Sequence, residues 1–401
     1  MNKKIIITLF LLMALMITVT SPAAVSAAQV FGDLNNDGQI DALDFALLRG
    51  HMLGASSLGN PTLADVNSDG SVDAIDYSLY KQFLLKMISK FPGDTGTVPQ
   101  LPKPIKIGIS GGNMDTSQIK TKYMNVSYAK VSNTQKLDIY IPNDISGPYP
   151  VIVAVHGGAW YAGNSVGADI APILEGGHNH GYAVVSVNYR LSTEARFPAA
   201  VNDCKAAVRF VKANAAKYNF DPDRIAAWGS SSGGHLVAML GTTGDVSTLN
   251  GDTTDNLSFS SKVQAVVDWF GPTDFSKMDD QFKASGVTSL LGSHSAAGSP
   301  ESQFIGGAVS SNPALVQQAN PITYVSNMAV ASSPAFFIQH GSQDNLVPYQ
   351  QSTILADALK PKLGSSKVTL EIIQGAGHGT SEFSAAGNIT KVFAFLDPLF
   401  K

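Results

Sequence analysis

The sequence predicts an α/β protein in which a mostly parallel sheet is covered by helices and preceded by a small all-α module. Three observations carry this. Beyond residue 105, short apolar runs alternate with amphipathic segments; before residue 90, two near-identical aspartate-rich segments each lead into a helical apolar period; a proline-rich stretch separates the two textures. At 401 residues, 44% hydrophobic and 14% charged, the chain is too apolar for a disordered polymer and long enough for more than one domain. A net charge of -4 without a basic tail or stripe argues against nucleic acid as a partner. One cysteine, Cys204, excludes an intrachain disulfide framework and a thiolate metal cluster.

Residues 1–27 read as a signal peptide. Lys3 and Lys4 form a positive start, Ile5 to Val19 an apolar core, and Val25-Ser26-Ala27 a small-residue cleavage site. The expectation is a secreted, extracellular protein with no membrane association after cleavage, because no later segment is long and apolar enough to span a bilayer.

Residues 29–90 form the first module. All eight acidic residues there are aspartates, and they account for the chain's whole acid excess. FGDLNNDGQIDALDFALL and LADVNSDGSVDAIDYSLY repeat one pattern at a spacing of 32 residues. Each places oxygen side chains at loop positions 1, 3, 5, 9 and 12: Asp33, Asn35, Asp37, Asp41 and Asp44, then Asp65, Asn67, Asp69, Asp73 and Asp76. Gly38 and Gly70 stand at the sharp turn, and Gln39 and Ser71 would offer backbone carbonyls at position 7. A short arc that gathers so many oxygens suits a hard cation, so two calcium ions are expected, one per loop. Without metal the carboxylates would repel, so folding should depend on the ion.

The pair resembles a type I dockerin, with Asp rather than Glu at position 12. The resemblance implies cohesin domains of a scaffoldin as partner, contacted through Ala42-Leu43 and Ala74-Ile75 and assisted by Arg49 and Lys81. The near-identity of the copies implies two pseudo-symmetric docking orientations. Residues 91–104, FPGDTGTVPQLPKP, read as a stiff linker.

Residues 105–401 are expected to form the catalytic domain. Val151–Val155, Ala183–Val187, Arg224–Trp228, Val263–Val267, Ala335–Ile338 and Thr369–Ile373 read as buried strands, and Ala199–Asn214 as a helix. Leu137–Ile141 alternates as an antiparallel edge strand would. In RIAAWGSSSGGHLVAML a strand runs through Gly229-Ser230-Ser231-Ser232-Gly233 into an apolar helix, which is a nucleophile elbow in its required context. Ser231 has glycine two residues away on both sides and is the expected nucleophile; Ser230 is expected to turn away from the substrate.

A serine nucleophile needs a base and an orienting carboxylate. His378, in Gly375-Ala376-Gly377-His378-Gly379, and Asp344, in His340-Gly341-Ser342-Gln343-Asp344, both follow apolar strands. His340 is the rival base; Asp268 and Asp274 are the rival acids. His178 and His180 read as loop residues, His235 as structural, and His51 and His294 as poor candidates. His156-Gly157-Gly158-Ala159-Trp160 follows a strand, so the amides of Gly157 and Gly158, with that of Ser232, are the expected oxyanion donors.

From about residue 120 the chain resembles the α/β-hydrolase superfamily, in the branch of hormone-sensitive-lipase-like enzymes and feruloyl or acetylxylan esterases. HGGAW, NYRLSTEARFPAAVND, DPDRIAAWGSSSGGH and GSQDNLVP carry the resemblance, with Ser232 standing where alanine is common. It implies a serine esterase that needs no cofactor for catalysis, with Glu194 and Asp203 supporting the fold. With the dockerin, it implies a cellulosomal enzyme acting on acetyl or feruloyl esters of hemicellulose such as xylan. A serine peptidase of prolyl-oligopeptidase type and a non-catalytic carbohydrate-binding relic are the competing readings.

Overall fold

The computed structural model describes residues 32, 34–35, 40–55, 58, 64–67, 69, 71–88, 91–92, 102–251, 253 and 255–400. The expected signal peptide, Asp33, Asp37, Gln39 and most of the expected linker lie outside the described residues. The chain divides into two compact units, Met1–Pro99 and Gln100–Lys401.

In the first unit α1 (Ala42–Met52) and α2 (Ala74–Leu84) begin alike. Asp41 and Asp73 cap them by accepting from the N–H groups of Leu43 and Ile75, while Asp44 and Asp76 reach back to the cap backbone. These capping boxes explain why a helix starts at the same point in each repeat. Leu48, Ala64, Val66, Tyr80 and Phe91 form a small buried core, with Phe45 stacked on Tyr77 at 4.5 Å. Phe91 therefore belongs to this core and not to the linker; its ring lies 4.7 Å from those of Tyr80 and Phe83.

The second unit is built on an eight-stranded sheet. Its strands are β3 (Thr121–Ser127), β4 (Lys136–Ile141), β5 (Tyr149–Val155), β6 (Ala183–Val187), β7 (Phe220–Ser230), β8 (Ala265–Trp269), β9 (Ala335–Gly341) and β10 (Val368–Ile373), in the order β10-β9-β8-β7-β5-β6-β4-β3. A separate hairpin pairs β1 (Gly108–Ser110) with β2 (Asn113–Asp115). From β10 to β6 every pairing is parallel, and β4 and β3 add antiparallel neighbours. β4 is thus one strand in from the edge, which β3 occupies; β3 is mostly exposed and polar, so its sequence does not show a buried run.

The sheet buries both faces. Val151, Val153 and Val155 of β5 face one apolar cluster, and Ile152 and Ala154 face the other. That two-residue period, with apolar residues on both sides, is why the strand reads as a continuous run. Helix α3 (Ala171–Asn179) packs on β6, α4 (Ala199–Ala213) on β7, and α5 (Ser232–Thr242) against β7 and β8. The order passes from β5 to β6 on one side and then to β7 on the other. The switch between β5 and β7 opens a crevice at the carboxyl ends of the strands, where such sheets bind ligands.

Candidate active site

The last residues of β7 and the first of α5 form the elbow. Ser231 stands between them at φ 55°, ψ -122°, a conformation in which a non-glycine residue is strained. A Cβ on Gly233 would fall 2.1 Å from the Val155 carbonyl oxygen, and one on Gly229 would fall 2.4 Å from the Gly233 backbone. Two side chains are absent so that a third is held out over the end of the sheet.

Ser231 Oγ lies 2.9 Å from His378 Nε2, and His378 Nδ1 lies 2.7 Å from Asp344 Oδ2. The other Asp344 oxygen accepts from the N–H groups of Leu346 and Val347, each at 2.8 Å. Burial alone would raise this carboxyl, but hydrogen bonds from His340 and His378, and the charge those rings carry when protonated, hold it well below the usual carboxylate range. Nδ1 of His378 therefore keeps its proton toward Asp344, leaving Nε2 to accept from Ser231. The Phe270 ring lies 4.7 Å from that of His378 and packs edge-on, which limits the swing of the imidazole.

Among the described residues His340 makes no hydrogen bond to Ser231. It is fully buried, held by Ser352 Oγ at 2.7 Å and the Val347 carbonyl at 2.9 Å, and reaches the site through Asp344 and an edge-on contact with Phe270. Asp268 accepts from the Gly271 N–H and Asp274 caps a short turn; neither bonds His378. His178 lies inside α3, not in a loop, and accepts from the Asn143 N–H. His180 pairs with Asp397, and His294 with Glu301 in a buried pocket. His235, pushed down to about 4 by burial, accepts from Trp160 Nε1 and donates to the Ala319 carbonyl. Glu194 accepts from Ser132 and Thr134, and Asp203 forms a buried pair with Arg190, so both tie the fold together.

One of the three amides expected to face an oxyanion already has a partner. The Gly157 N–H donates to Asp169 Oδ2 at 2.7 Å, so that amide is taken up by a side chain. Among the described residues no acceptor meets the N–H of Gly158 or Ser232. Gly158 is at φ 106°, and a Cβ there would fall 2.2 Å from the Ala162 carbonyl oxygen. Ala159 and Trp160 follow at φ 57° each, so the loop turns its amides by sustained left-handed backbone. Ser230 also departs from expectation: its Oγ points to Asp169 at 3.1 Å. Asp169 belongs to no sequence motif, and nothing in its neighbourhood marks it.

A cleft of about 1340 Å³ contains Ser231, His378, Gly157, Gly158 and Asp169, and extends past Ile107 and Glu175. An acidic anchor, an imidazole, a serine hydroxyl and two unoccupied amides form a site that can attack a carbonyl and hold the resulting oxyanion.

The BD-FAE family model matches residues 137–359, more than half of the chain. The chain belongs to the BD-FAE family. A dockerin type I domain matches residues 31–85. A truncated form of a carbohydrate esterase from gut microbiota is 34% identical with a TM-score of 0.61, covering 71% of this chain and 97% of that one. A bifunctional GH43-CE protein of Bacteroides eggerthii is 35% identical with a TM-score of 0.60, covering 69% of this chain and 35% of that one. The probable carboxylic ester hydrolase LipM of Mycobacterium tuberculosis is 31% identical over 59% of this chain and 51% of LipM. The chain spans about half the length of the curated relatives it matches. The BD-FAE unit has the α/β-hydrolase fold, and its homologues are carboxylesterases and carbohydrate esterases.

Dockerin type I domains bind calcium, and the described loop residues fit that ion in chemistry. Asp76 is fully buried, and its carboxyl is pushed up to about 6, by burial first and then by the charges of Asp65 and Asp69. Asp65 and Asn67 also accept from the Asp69 N–H, which draws the second loop's oxygens together. Such mutually repelling acids are the donor set a hard cation neutralises. Among the described residues no group of three or more His, Cys, Asp or Glu side chains is placed to hold a metal ion. Ala42, Leu43 and Arg49, like Ala74, Ile75 and Lys81, are exposed on α1 and α2.

Proposed function

We propose that this protein is a secreted serine carboxylic-ester hydrolase that removes acetyl or feruloyl groups from hemicellulose such as xylan, tethered through its dockerin to a cohesin. The observation that carries the reading is the continuous hydrogen-bonded line from Ser231 through His378 to Asp344, beside the unoccupied amides of Gly158 and Ser232. Ser231 Oγ attacks the ester carbonyl while its proton passes to His378 Nε2. The amides hold the oxyanion, and the alcohol leaves with that proton. Water then gives a proton to His378, its oxygen attacks the acyl-serine, and Ser231 recovers its proton as the acid departs.

The dockerin loops would hold two calcium ions: one by Asp33, Asn35, Asp37, Asp41, Asp44 and the Gln39 carbonyl, the other by Asp65, Asn67, Asp69, Asp73, Asp76 and the Ser71 carbonyl. Bound calcium supplies the positive charge that lets these acids share a loop. The polysaccharide context rests on the dockerin and on the carbohydrate esterases among the structural relatives. Reaction with a fluorophosphonate followed by peptide mass spectrometry tests the chemistry: one adduct, on Ser231, is expected. An adduct on Ser230 or Ser232, or none in a folded preparation, would overturn it. Release of acetic and ferulic acid from native xylan decides the acyl group.

A further inference from the structure

Asp169 takes part in no step of ester hydrolysis, yet its carboxylate faces the cleft beside the nucleophile. It lies on a short turn, Ala168–Ile170, and its side chain is exposed. Two donors hold it in one orientation: the Gly157 N–H at 2.7 Å and the Ser230 hydroxyl at 3.1 Å, both on Oδ2. Gly157 in turn lies against the nucleophile, since a Cβ on it would fall 3.4 Å from the Ser231 Cβ.

The second oxygen is differently placed. Among the described residues nothing donates to Oδ1. A Cβ on Gly167 would fall 2.7 Å from it, so the glycine leaves that oxygen the room a side chain would fill. An ionised carboxylate accepts and never donates. A fixed acceptor this close to the reacting serine meets the atoms around the ester bond, and the complementary group is a hydroxyl. An acetyl group carries none, and the hydroxyl of a feruloyl group lies at the far end of its ring from the ester carbonyl, so the hydroxyl belongs to the alcohol half of the ester. The cleft is far larger than an acetyl group needs and has space for that half.

We infer that Asp169 binds a hydroxyl neighbouring the acylated oxygen, so that the site selects esters of polyols, sugars among them, over esters of simple alcohols. The inference rests on the serine-hydrolase reading of Ser231. An alcohol without such a hydroxyl covers Asp169 Oδ1 without giving it a donor, and this is a basis for discrimination.

The full-length protein and its Asp169→Asn and Asp169→Ala variants test this on two esters with the same acyl group, methyl 3-O-acetyl-β-xylopyranoside and 4-nitrophenyl acetate. Asn keeps an acceptor for the Gly157 N–H; Ala removes it. In Asp169→Ala, kcat/KM for the xyloside ester should fall at least about tenfold further than for the nitrophenyl ester, with Asp169→Asn in between. Equal losses on both esters would show that Asp169 merely steadies the Gly157 loop, and would overturn the inference; so would no loss on either. A wild-type protein that cleaves the nitrophenyl ester but spares the xyloside also overturns it. Failure on both esters, with no fluorophosphonate adduct on Ser231, would instead refute the underlying hydrolase reading and the inference with it.

Discussion

Leu346 and Val347 donate backbone N–H groups to Asp344, and the imidazoles of His378 and His340 complete its surroundings. Asp344→Asn would present an amide N–H to His378 Nδ1 and favour the tautomer that cannot accept from Ser231. Turnover should drop about 10³–10⁴-fold with little change in KM, measured on 4-nitrophenyl acetate. Asp268 supplies a pH test of opposite origin. It is fully buried, one of its oxygens has no partner among the described residues, and burial raises its carboxyl from 3.8 to about 6. A carboxyl raised by folding contributes stability that is complete below its unfolded value and is lost as pH rises through the folded one. Relative to wild type, Asp268→Asn should therefore gain stability between about pH 4 and pH 6, by about 1–3 kcal/mol in urea melts. A difference that stays flat across that window would mean that Asp268 is not protonated in the fold.

The elbow shows how an element depends on missing side chains. Gly233→Ala would drive a Cβ into the Val155 and His156 carbonyls, at 2.1 and 2.7 Å, where backbone cannot yield cheaply. It should cost about 4 kcal/mol or more and abolish labelling of Ser231, read by denaturant melts and fluorophosphonate uptake. Such glycines are legible because their spacing is a motif. Others are not: Gly176 and Gly177 look like loop residues, yet they lie inside α3, where Cβ atoms would fall 2.7 Å from Phe393 and 2.6 Å from Val184. There glycine serves close helix packing, and the segment around His178 that reads as a loop is part of the helix. The central strands were legible because burial on both faces leaves continuous apolar runs. β7 begins four residues earlier than its apolar run, since Asp221, Pro222 and Asp223 interrupt the apolar pattern after Phe220. Ser231, His378 and Asp344 stand next to strand ends in recognisable surroundings. Asp169 was invisible because its importance comes from two donors, one 12 residues and one 61 residues away in sequence.

At the scale of the whole molecule the two units have separate apolar cores, one around Leu48 and Tyr80 and the others on the two faces of the sheet. Chelation of calcium should therefore abolish cohesin binding while leaving ester turnover nearly intact; unchanged cohesin affinity in excess chelator would count against metal-dependent folding of the module. The repeats also make a prediction about geometry. α1 and α2 are each 11 residues long, their caps share φ -140°, and Leu43 and Ile75 stand exposed at 62% and 46% in equivalent first-turn positions. A partner that grips one copy has an equivalent surface on the other. Leu43→Glu or Ile75→Glu introduces acid into a helix's first turn, where the dipole favours it, so folding should survive. Either single variant should bind cohesin within a few-fold of wild type, because the untouched copy still docks. The double variant buries an unpaired charge in both orientations and should lose about 2–5 kcal/mol of affinity by titration calorimetry. A single variant as weak as the double would mean that only one orientation is used.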